Sequence, residues 1–499
     1  MELFSNLALG FDVALTPLNL LYCLIGVLIG TLIGVLPGIG PVATLSMLLP
    51  ITFHLPPVSA LIMLAGIYYG AQYGGSTTAI LVNLPGEASS VVTCLDGYQM
   101  ARQGRAGAAL AVAALGSLFA GCVATLVLVL FAPPLASAAL LFGPAEYFSL
   151  MTLGLITAVV LAQGALFKAF GMIALGILLG AVGSDVNTGA DRLTFGLAEL
   201  SDGIGFVPLA MGLFAIPEII RNLEHTEERS VLTEKIHGLW PSREDFRRSW
   251  PAVLRGTGVG AVLGILPGSG ALLSSFSAYM LEKHLSRNPQ EFGRGAVEGV
   301  AAPESANNAS AQTSFIPLLT LGIPANAVMA LMAGAMTIQG IQPGPQVLSA
   351  RPDLFWGMIV SMWLGNLMLV VINLPLIQIW ITLLKVPYRL LYLFILGFCC
   401  VGVYSLNNSS TDVFMLVVFG LAGYAFSKWK LEPAPLLLAF VLGPLIEENL
   451  RRALLISGGD PSVFVARPLS LALLLVAVLM VVLVALPKVR RQRDEALQE

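Results

Sequence analysis

Charged residues are scarce in this chain. They make up 11% of its 499 residues, whereas an ordinary soluble globular protein carries about 25%. Hydrophobic residues make up 57% of the chain, and the mean hydropathy is +0.85. This apolar content is enough for roughly 10–14 membrane-spanning helices of about 20 residues each. The composition therefore excludes a soluble enzyme or a disordered chain, and it predicts an all-α polytopic membrane protein.

Several catalytic and energising motifs are missing from the sequence. The four histidines lie in loops or at loop edges, which argues against an intramembrane Ser–His or His-Glu-x-x-His protease. There is no Gly-Lys dipeptide, so no Walker A sequence and no ATP-driven pump are predicted. No basic block is present to bind nucleic acid, and the five cysteines contain no Cys-x-x-Cys pair. We therefore expect a non-enzymatic protein without a cofactor or a certain metal site, acting in gradient-driven transport or as a channel.

One long polar segment, from Arg221 to Arg255, divides the chain almost in half. The positive-inside rule places this segment and the basic C-terminal tail in the cytoplasm. We predict a first transmembrane repeat over 1–220 and a cytoplasmic charged linker over 221–249. A second transmembrane repeat is predicted over 250–487, followed by a cytoplasmic tail over 488–499.

The two halves contain a repeated sequence. Gly26-Val-Leu-Ile-Gly-Thr-Leu-Ile-Gly-Val-Leu-Pro-Gly-Ile-Gly40 aligns without gaps with Gly256-Thr-Gly-Val-Gly-Ala-Val-Leu-Gly-Ile-Leu-Pro-Gly-Ser-Gly270, with seven of fifteen positions identical. A weaker echo pairs Leu84-Pro85-Gly86 with Ile323-Pro324-Ala325. Lys and Arg flank the second copy but not the first. We therefore predict two re-entrant helical hairpins that enter the membrane from opposite faces, which is an inverted repeat.

The Pro-Gly tips of the two copies are candidates for a binding site. Pro-Gly within the membrane frees backbone N–H and C=O groups, which are tolerated only where protein or water surrounds them. Broken segments at matching positions in two halves indicate the binding site of a transporter. The alternative is close helix packing by small residues, which we prefer for Gly26, Gly30, Gly34, Gly256, Gly260 and Gly264. The candidate tip residues are Pro37, Gly38, Gly40, Pro267, Gly268, Ser269 and Gly270.

Two polar runs accompany the tips, and their hydroxyl and amide groups stand in otherwise apolar surroundings. Acidic residues within a membrane are functional candidates by default. We expect Glu304 to be the leading ligand for a coupling cation, with a possible Na⁺ near Glu304 and Asn307. Glu87 is a weaker candidate for a functional residue. Interhelical hydrogen bonding is the alternative reading of these runs. The candidate residues are Ser76, Thr77, Thr78, Asn83, Pro85 and Gly86 in the first half, and Glu304, Asn307, Asn308 and Pro324 in the second.

Five motifs together resemble the large membrane subunit of the tripartite tricarboxylate transporters. They are Gly34-Val-Leu-Pro-Gly-Ile-Gly-Pro41, Tyr73-Gly-Gly-Ser-Thr-Thr78, Asn83-Leu-Pro-Gly-Glu-Ala-Ser-Ser90, Asp96-Gly-Tyr-Gln-Met-Ala-Arg102 and Ala302-Pro-Glu-Ser-Ala-Asn-Asn308.

The resemblance implies a multi-pass protein of the bacterial inner membrane that imports organic carboxylates by secondary active transport. It also implies two protein partners, a small membrane subunit and a periplasmic solute-binding protein, and a coupling cation, for which we expect Na⁺. Two other functions remain open on the residues. One is a passive channel for small ions or solutes, and the other is a membrane enzyme acting on lipid-linked substrates with a carboxylate base.

Overall fold

The computed structural model describes residues 2–36, 39–162, 165–185, 187–224, 238–266, 270–384 and 388–485. Parts of the predicted linker and tail fall outside these ranges. The C-terminal tail 488–499 lies outside the described residues, and so do residues 225–237 of the predicted linker.

The described part of the chain is almost entirely helical. The first half contains α1 Glu2–Ala14, α2 Pro17–Gly34, α3 Pro41–Thr52, α4 Pro57–Val82, α5 Val91–Arg102, α6 Ala106–Ala139, α7 Pro144–Leu161, α8 Leu166–Gly180, α9 Phe206–Ala210 and α10 Ile216–Glu224. A π-helical turn, Met211–Ala215, joins α9 to α10, and short 3₁₀ turns occur at Ala88–Ser90 and Ala198–Leu200.

The second half begins inside the predicted linker, because α11 starts at Arg243. Its helices are α11 Arg243–Ile265, α12 Gly270–Leu285, α13 Glu298–Thr313, α14 Phe315–Leu321, α15 Ala327–Ile338, α16 Gln346–Ala350, α17 Pro352–Asn373, α18 Ile377–Leu383, α19 Tyr388–Asn407, α20 Ser410–Lys428, α21 Pro433–Ile456, α22 Val463–Ala466 and α23 Pro468–Ala485. A 3₁₀ turn, Pro289–Glu291, precedes α13.

Six helices in the described ranges are long and apolar enough to cross a bilayer. They are Pro17–Gly34, Ala106–Ala139, Phe206–Glu224, Pro352–Asn373, Ser410–Lys428 and Pro433–Ile456. Other apolar helices, among them Pro41–Thr52 and Ala327–Ile338, have only 10–17 residues. The number of long helices is below the roughly 10–14 that the composition allows, because much of the apolar sequence forms helices shorter than a bilayer requires. The structure thus confirms an all-α polytopic membrane protein.

The helices end in both segments where the repeated sequence predicts a break. Helix α2 ends at Gly34 and α3 begins at Pro41, while α11 ends at Ile265 and α12 begins at Gly270. Proline at the first position of α3 needs no hydrogen bond from its own nitrogen, so it starts a helix without penalty. The tip residues Pro37, Gly38, Pro267, Gly268 and Ser269 lie outside the described residues.

The weaker echo also has the same local backbone in both halves. Asn83 ends α4 with φ +58°, and Gly322 ends α14 with φ +72°. Both residues adopt the left-handed conformation that commonly ends a helix, which asparagine and glycine tolerate best. After the following proline, Glu87 and Asn326 stand in the extended conformation immediately before the next helical turn.

The glycine stripes of the repeated sequence bring two pairs of helices into backbone contact. Helix α2 packs along α4, and α11 packs along α13. A Cβ atom at any stripe glycine would overlap the backbone of the facing helix: Gly26 faces Met63, Gly30 faces Ile67, Gly34 faces Ala71, Gly256 faces Ala302, Gly260 faces Ala306 and Gly264 faces Ser310. Their role in the structure is therefore the close packing that the small-residue spacing predicts.

Gly260→Ala is expected to destabilise the protein by about 1–3 kcal/mol, because its methyl group would overlap the carbonyl oxygen of Ala306. Gly258→Ala is the matched control, since it lies in the same helix and its Cβ would meet no atom of the described residues within 4 Å. Thermal unfolding of both variants in one detergent measures the difference. Equal melting temperatures would contradict the packing role of Gly260.

A small hairpin ties the first half to the second. Its strands, β1 Gly183–Ser184 and β2 Asp191–Arg192, pair antiparallel between α8 and α9. Arg451 of α21 donates a hydrogen bond of 2.8 Å to Asp185. This hydrogen bond lowers the pKa of Asp185 from 3.8 to about 2. The stabilisation is complete above about pH 4 and is lost only as the pH falls towards 2, so the contact persists at neutral pH.

Helices α4 and α13 form the centre of the molecule. Helix α4 packs against α2, α5 and α17, and α13 packs against α5, α6, α11 and α12. Two of the contacts of α13 are therefore with helices of the first half. This arrangement places the polar runs of both halves in one buried region.

Candidate functional site

Helix α13 is polar in sequence, yet all 16 of its residues are buried. A helix with this composition is normally found in contact with water. Buried polar groups are hydrogen-bonded in nearly all native structures. Some side chains of α13 bond to their own helix, as Ser305 does to Ala301, and others bond to neighbouring helices. These partners define a polar cluster between α4, α5, α6, α13 and α17.

Glu304 lies at the junction of three helices and is 3% exposed. Ser76 of α4 donates a hydrogen bond of 2.6 Å to one carboxylate oxygen of Glu304. Thr93 of α5 donates a hydrogen bond to the other oxygen. The hydroxyl of Ser76 also lies 3.1 Å from the backbone carbonyl oxygen of Gln72. Since a hydroxyl carries one hydrogen, Ser76 has two alternative acceptors.

Glu87 is the second buried carboxylate, with 8% exposure. It comes directly after the Leu-Pro-Gly break and stands at the N-cap of the 3₁₀ turn Ala88–Ser90. Asn307 of α13 donates a hydrogen bond of 2.9 Å to Glu87, and Gln72 of α4 donates one of 3.1 Å to the amide oxygen of Asn307. A continuous chain of hydrogen bonds therefore joins α4, α13 and Glu87.

Asn308 extends the cluster towards α6 and α17. Its amide nitrogen donates to the backbone carbonyl of Ser117 over 2.6 Å and to the side-chain oxygen of Asn366 over 3.1 Å. The hydroxyl of Ser117 lies 3.3 Å from the carbonyl oxygen of Glu304. These contacts fix α13 against both long neighbouring helices.

A small cavity of about 20 Å³ borders the cluster, close to the space that one water molecule requires. Its polar lining consists of Tyr73, Ser76, Thr77, Ser117, Glu304 and Asn373. The side chain of Glu304 therefore faces a space that a small ion or water molecule fits.

The ion pairs of the described residues include neither of these carboxylates. Among the described residues, no Lys, Arg or His forms an ion pair with Glu87 or Glu304. Burying a carboxylate without a positive charge costs several kcal/mol, even when hydroxyls and amides donate to it. Each carboxylate therefore requires a proton or a cation when the protein is in this conformation.

The cluster contains four of the predicted site residues, Ser76, Glu304, Asn307 and Asn308, and Thr77 lines the adjoining cavity. Glu87, the acid with less weight in the sequence, also belongs to it, whereas Gln72, Thr93, Ser117 and Asn366 did not emerge as candidates from the sequence. Thr93 and Ser117 are single hydroxyls within helical runs, and Asn366 lies in the apolar helix α17. An isolated polar residue in an apolar span was the one available signal for Asn366.

The remaining predicted residues within the described ranges lie at the breaks, except Thr78, which lies within α4. Thr78 donates to the carbonyl oxygen of Val35 over 2.9 Å and thereby ties α4 to the end of α2. Asn83 is exposed, and a Cβ at Gly86 would overlap Gly75. Gly40, Pro85 and Pro324 lie in connecting segments, and Gly270 is the first residue of α12.

Asp96 fixes the start of α13 from the opposite half of the chain. It is fully buried, and one of its oxygens accepts hydrogen bonds of 2.8–2.9 Å from the backbone N–H groups of Gly293, Gly295 and Ala296. The hydroxyl of Tyr279, in α12, donates a hydrogen bond of 2.9 Å to the other oxygen. A carboxylate that accepts four hydrogen bonds holds the loop before α13 in one conformation, and this loop in turn sets the position of Glu304.

Six long apolar helices among the described residues, together with a buried acidic cluster, are those of a polytopic membrane protein. Within this class, the chain belongs to the tripartite tricarboxylate transporter TctA family, whose model matches residues 20–438. The resemblance seen in the sequence motifs is thus confirmed, and the chain is a membrane transport protein.

Two similar proteins come from Agrobacterium vitis. One, described as "Uncharacterized 52.8 kDa protein in TAR-I ttuC' 3'region", is 59% identical over 499 residues, covering 100% of this chain and 99% of the relative. The other, described as "Uncharacterized protein in TAR-II ttuC' 3'region", is 57% identical over 240 residues, covering 48% of this chain and 99% of the relative. No solved structure is significantly similar to the chain.

Proposed function

We propose that this protein is the large membrane subunit of a secondary active importer, which moves tricarboxylates or related organic carboxylates across the bacterial inner membrane together with a cation. The observation that carries this proposal is Glu304, a buried carboxylate beside a small cavity and without an ion-pair partner among the described residues. An unpaired acid in this position is the kind of group that binds a transported cation.

The oxygen atoms around Glu304 suit a hard cation such as Na⁺, which prefers carboxylate, hydroxyl and amide oxygens. In the proposed cation-bound state, the hydroxyl of Ser76 donates to the carbonyl of Gln72 and turns a lone pair towards the ion. The hydroxyl of Thr93 provides a further oxygen. The bound cation then supplies positive charge for a carboxylate substrate, for which the cluster contains no Lys or Arg among its described residues.

The proposed mechanism uses the two halves as inverted repeats. Each Pro-Gly tip, at Pro37-Gly38 and Pro267-Gly268, forms the end of a re-entrant hairpin and closes the site from one side of the membrane. Backbone N–H groups at the broken helices, with the hydroxyl of Ser269, bind carboxylate groups of the substrate. A periplasmic solute-binding protein delivers the substrate, and a small membrane subunit completes the complex.

Uptake by the native host tests this proposal. Cells with the gene intact and deleted are supplied with a panel of labelled carboxylates, with and without external Na⁺. We expect deletion to abolish uptake of one or a few carboxylates, and removal of Na⁺ to reduce the uptake of the same compounds in the intact strain. Unchanged uptake of every carboxylate would contradict the importer. Flux that persists without the periplasmic protein would instead indicate a channel.

A further inference from the structure

We propose that Gln339 is a positioning residue for transport, whose side-chain amide holds the end of α3 and thereby closes the buried polar cluster on the periplasmic side. This role rests on the proposed import function and adds the contact that breaks when substrate enters. The contact belongs to a local structure that occurs twice in the chain.

The α-helices that follow the two breaks of the weaker echo end in the same way. Helix α5 is followed by Gln103 and Gly104, and α15 is followed by Gln339 and Gly340. The two glycines have positive φ, +77° and +72°, and the residue after each glycine donates its N–H to a carbonyl group of the last helical turn. This is a common glycine-terminated helix end. The two glutamines therefore occupy equivalent positions in the two halves.

Each glutamine donates a hydrogen bond to the opposite half of the chain. The amide nitrogen of Gln103 lies 2.8 Å from the carbonyl oxygen of Arg294, in the loop between α12 and α13. The amide nitrogen of Gln339 lies 3.0 Å from the carbonyl oxygen of Thr52 and 3.3 Å from that of Phe53, at the end of α3. The two acceptor loops are also equivalent, since each connects the helix after a predicted tip to one of the central helices α4 and α13.

The charges near the two glutamines indicate that they lie at opposite faces of the membrane. Arg105, two residues after Gln103, forms an ion pair with Asp245 of the predicted cytoplasmic linker. The turn at residues 53–56, which Gln339 contacts, contains no Lys or Arg. The positive-inside rule therefore places Gln103 on the cytoplasmic side and Gln339 on the periplasmic side.

The cytoplasmic loop is held more firmly than the periplasmic one. Asp96 accepts three backbone N–H groups of the loop that Gln103 contacts. Gln103 itself is exposed, so water can replace its hydrogen bond. Gln339 is half-buried, and its two amide hydrogens are shared among three carbonyl oxygens, the third being that of Leu55. Helix α15 contains no acidic residue to act as Asp96 does, so the contact at Gln339 opens more easily.

Opening at Gln339 frees the hairpin that adjoins the cavity. Carbonyl groups at the end of a helix lack partners within it, so the end of α3 depends on a donor from elsewhere. On the other side of the first predicted tip, the carbonyl oxygen of Val35 accepts a hydrogen bond from Thr78. Thr78 is the neighbour of Thr77, which lines the cavity beside Glu304. A movement of this hairpin away from α4 therefore uncovers the cavity.

Modification of a cysteine in the cavity, from one membrane face at a time, tests this inference. The full-length chain carries Thr77→Cys as the reporter, with the five native cysteines replaced by alanine. Vesicles of known orientation are treated with a membrane-impermeant thiol reagent. We expect Gln339→Met to raise the modification rate from the periplasmic face about threefold or more, the effect of losing one hydrogen bond. The rate from the cytoplasmic face is expected to stay unchanged.

Gln103→Met is the matched control, because it removes a hydrogen bond of the same type from the equivalent helix end and leaves Asp96 in place. This control is expected to leave both rates unchanged, and thermal unfolding establishes that each variant is folded. An equal response to the two substitutions, or an equal rise from both faces, would overturn the role of Gln339. If neither substitution alters a rate although gene deletion abolishes carboxylate uptake, this inference fails while the importer stands. Unchanged uptake in the deletion strain would instead contradict the importer itself.

Discussion

Glu304→Gln is expected to reduce carboxylate uptake at least about 100-fold, because losing one partner of a buried charge pair costs about 3–5 kcal/mol. The variant removes the charge that the proposed cation would neutralise, while the side chain keeps its shape. Uptake of the labelled carboxylate identified in the host experiment, normalised to the amount of protein in the membrane, measures the effect.

The Glu304→Gln variant is expected to fold, because the hydrogen bonds around position 304 can be rearranged. The glutamine oxygen can accept from one hydroxyl, and its nitrogen can donate to the other. Ser76 can then donate to the carbonyl of Gln72, which lies 3.1 Å away. Glu448→Gln is the control, since Glu448 forms a surface ion pair with Arg452. Wild-type uptake by Glu304→Gln would exclude Glu304 as the cation ligand.

Asp96→Ala is expected to prevent the protein from reaching its folded state. The substitution leaves three backbone N–H groups and the Tyr279 hydroxyl without their acceptor. At about 1–3 kcal/mol for each unsatisfied group, the loss approaches the total stability of many domains. Size-exclusion chromatography of detergent extracts measures the folded fraction.

Asp96→Asn distinguishes the hydrogen bonds of Asp96 from its charge. The asparagine oxygen can still accept from the backbone, so this variant is expected to fold at an intermediate level. Asp460→Ala provides the control, because Asp460 accepts its hydrogen bonds in an exposed loop. If Asp96→Ala gave the same folded fraction as Asp460→Ala, the loop before α13 would not depend on Asp96.

Polarity along the chain identified the region of the site but not the direction of each side chain. Ser76, Thr77 and Thr78 are consecutive hydroxyl residues, and nothing in the sequence distinguishes their roles. On a helix they point in different directions, so Ser76 reaches Glu304 whereas Thr78 reaches the carbonyl of Val35. Asn83 was predicted to bind ligand through its amide, and in the structure it is an exposed helix-ending residue.

The class of protein, the helix breaks and the glycine contacts follow from residue order alone. The apolar content of the chain as a whole places it in a membrane. The helix breaks follow from the local backbone preferences of proline and glycine. Stripe glycines such as Gly30 and Gly260 recur every four residues along one helix, so the sequence itself shows the surface that can pack closely.

The partners of the buried carboxylates depend on how distant helices pack. Thr93 meets Glu304, and Asn307 meets Glu87, across more than two hundred residues of chain. No local preference specifies such pairs, because they arise from the crossing of α4, α5 and α13. The same packing buries the polar helix α13, and this burial is what turns its acid and amides into a candidate site for ions.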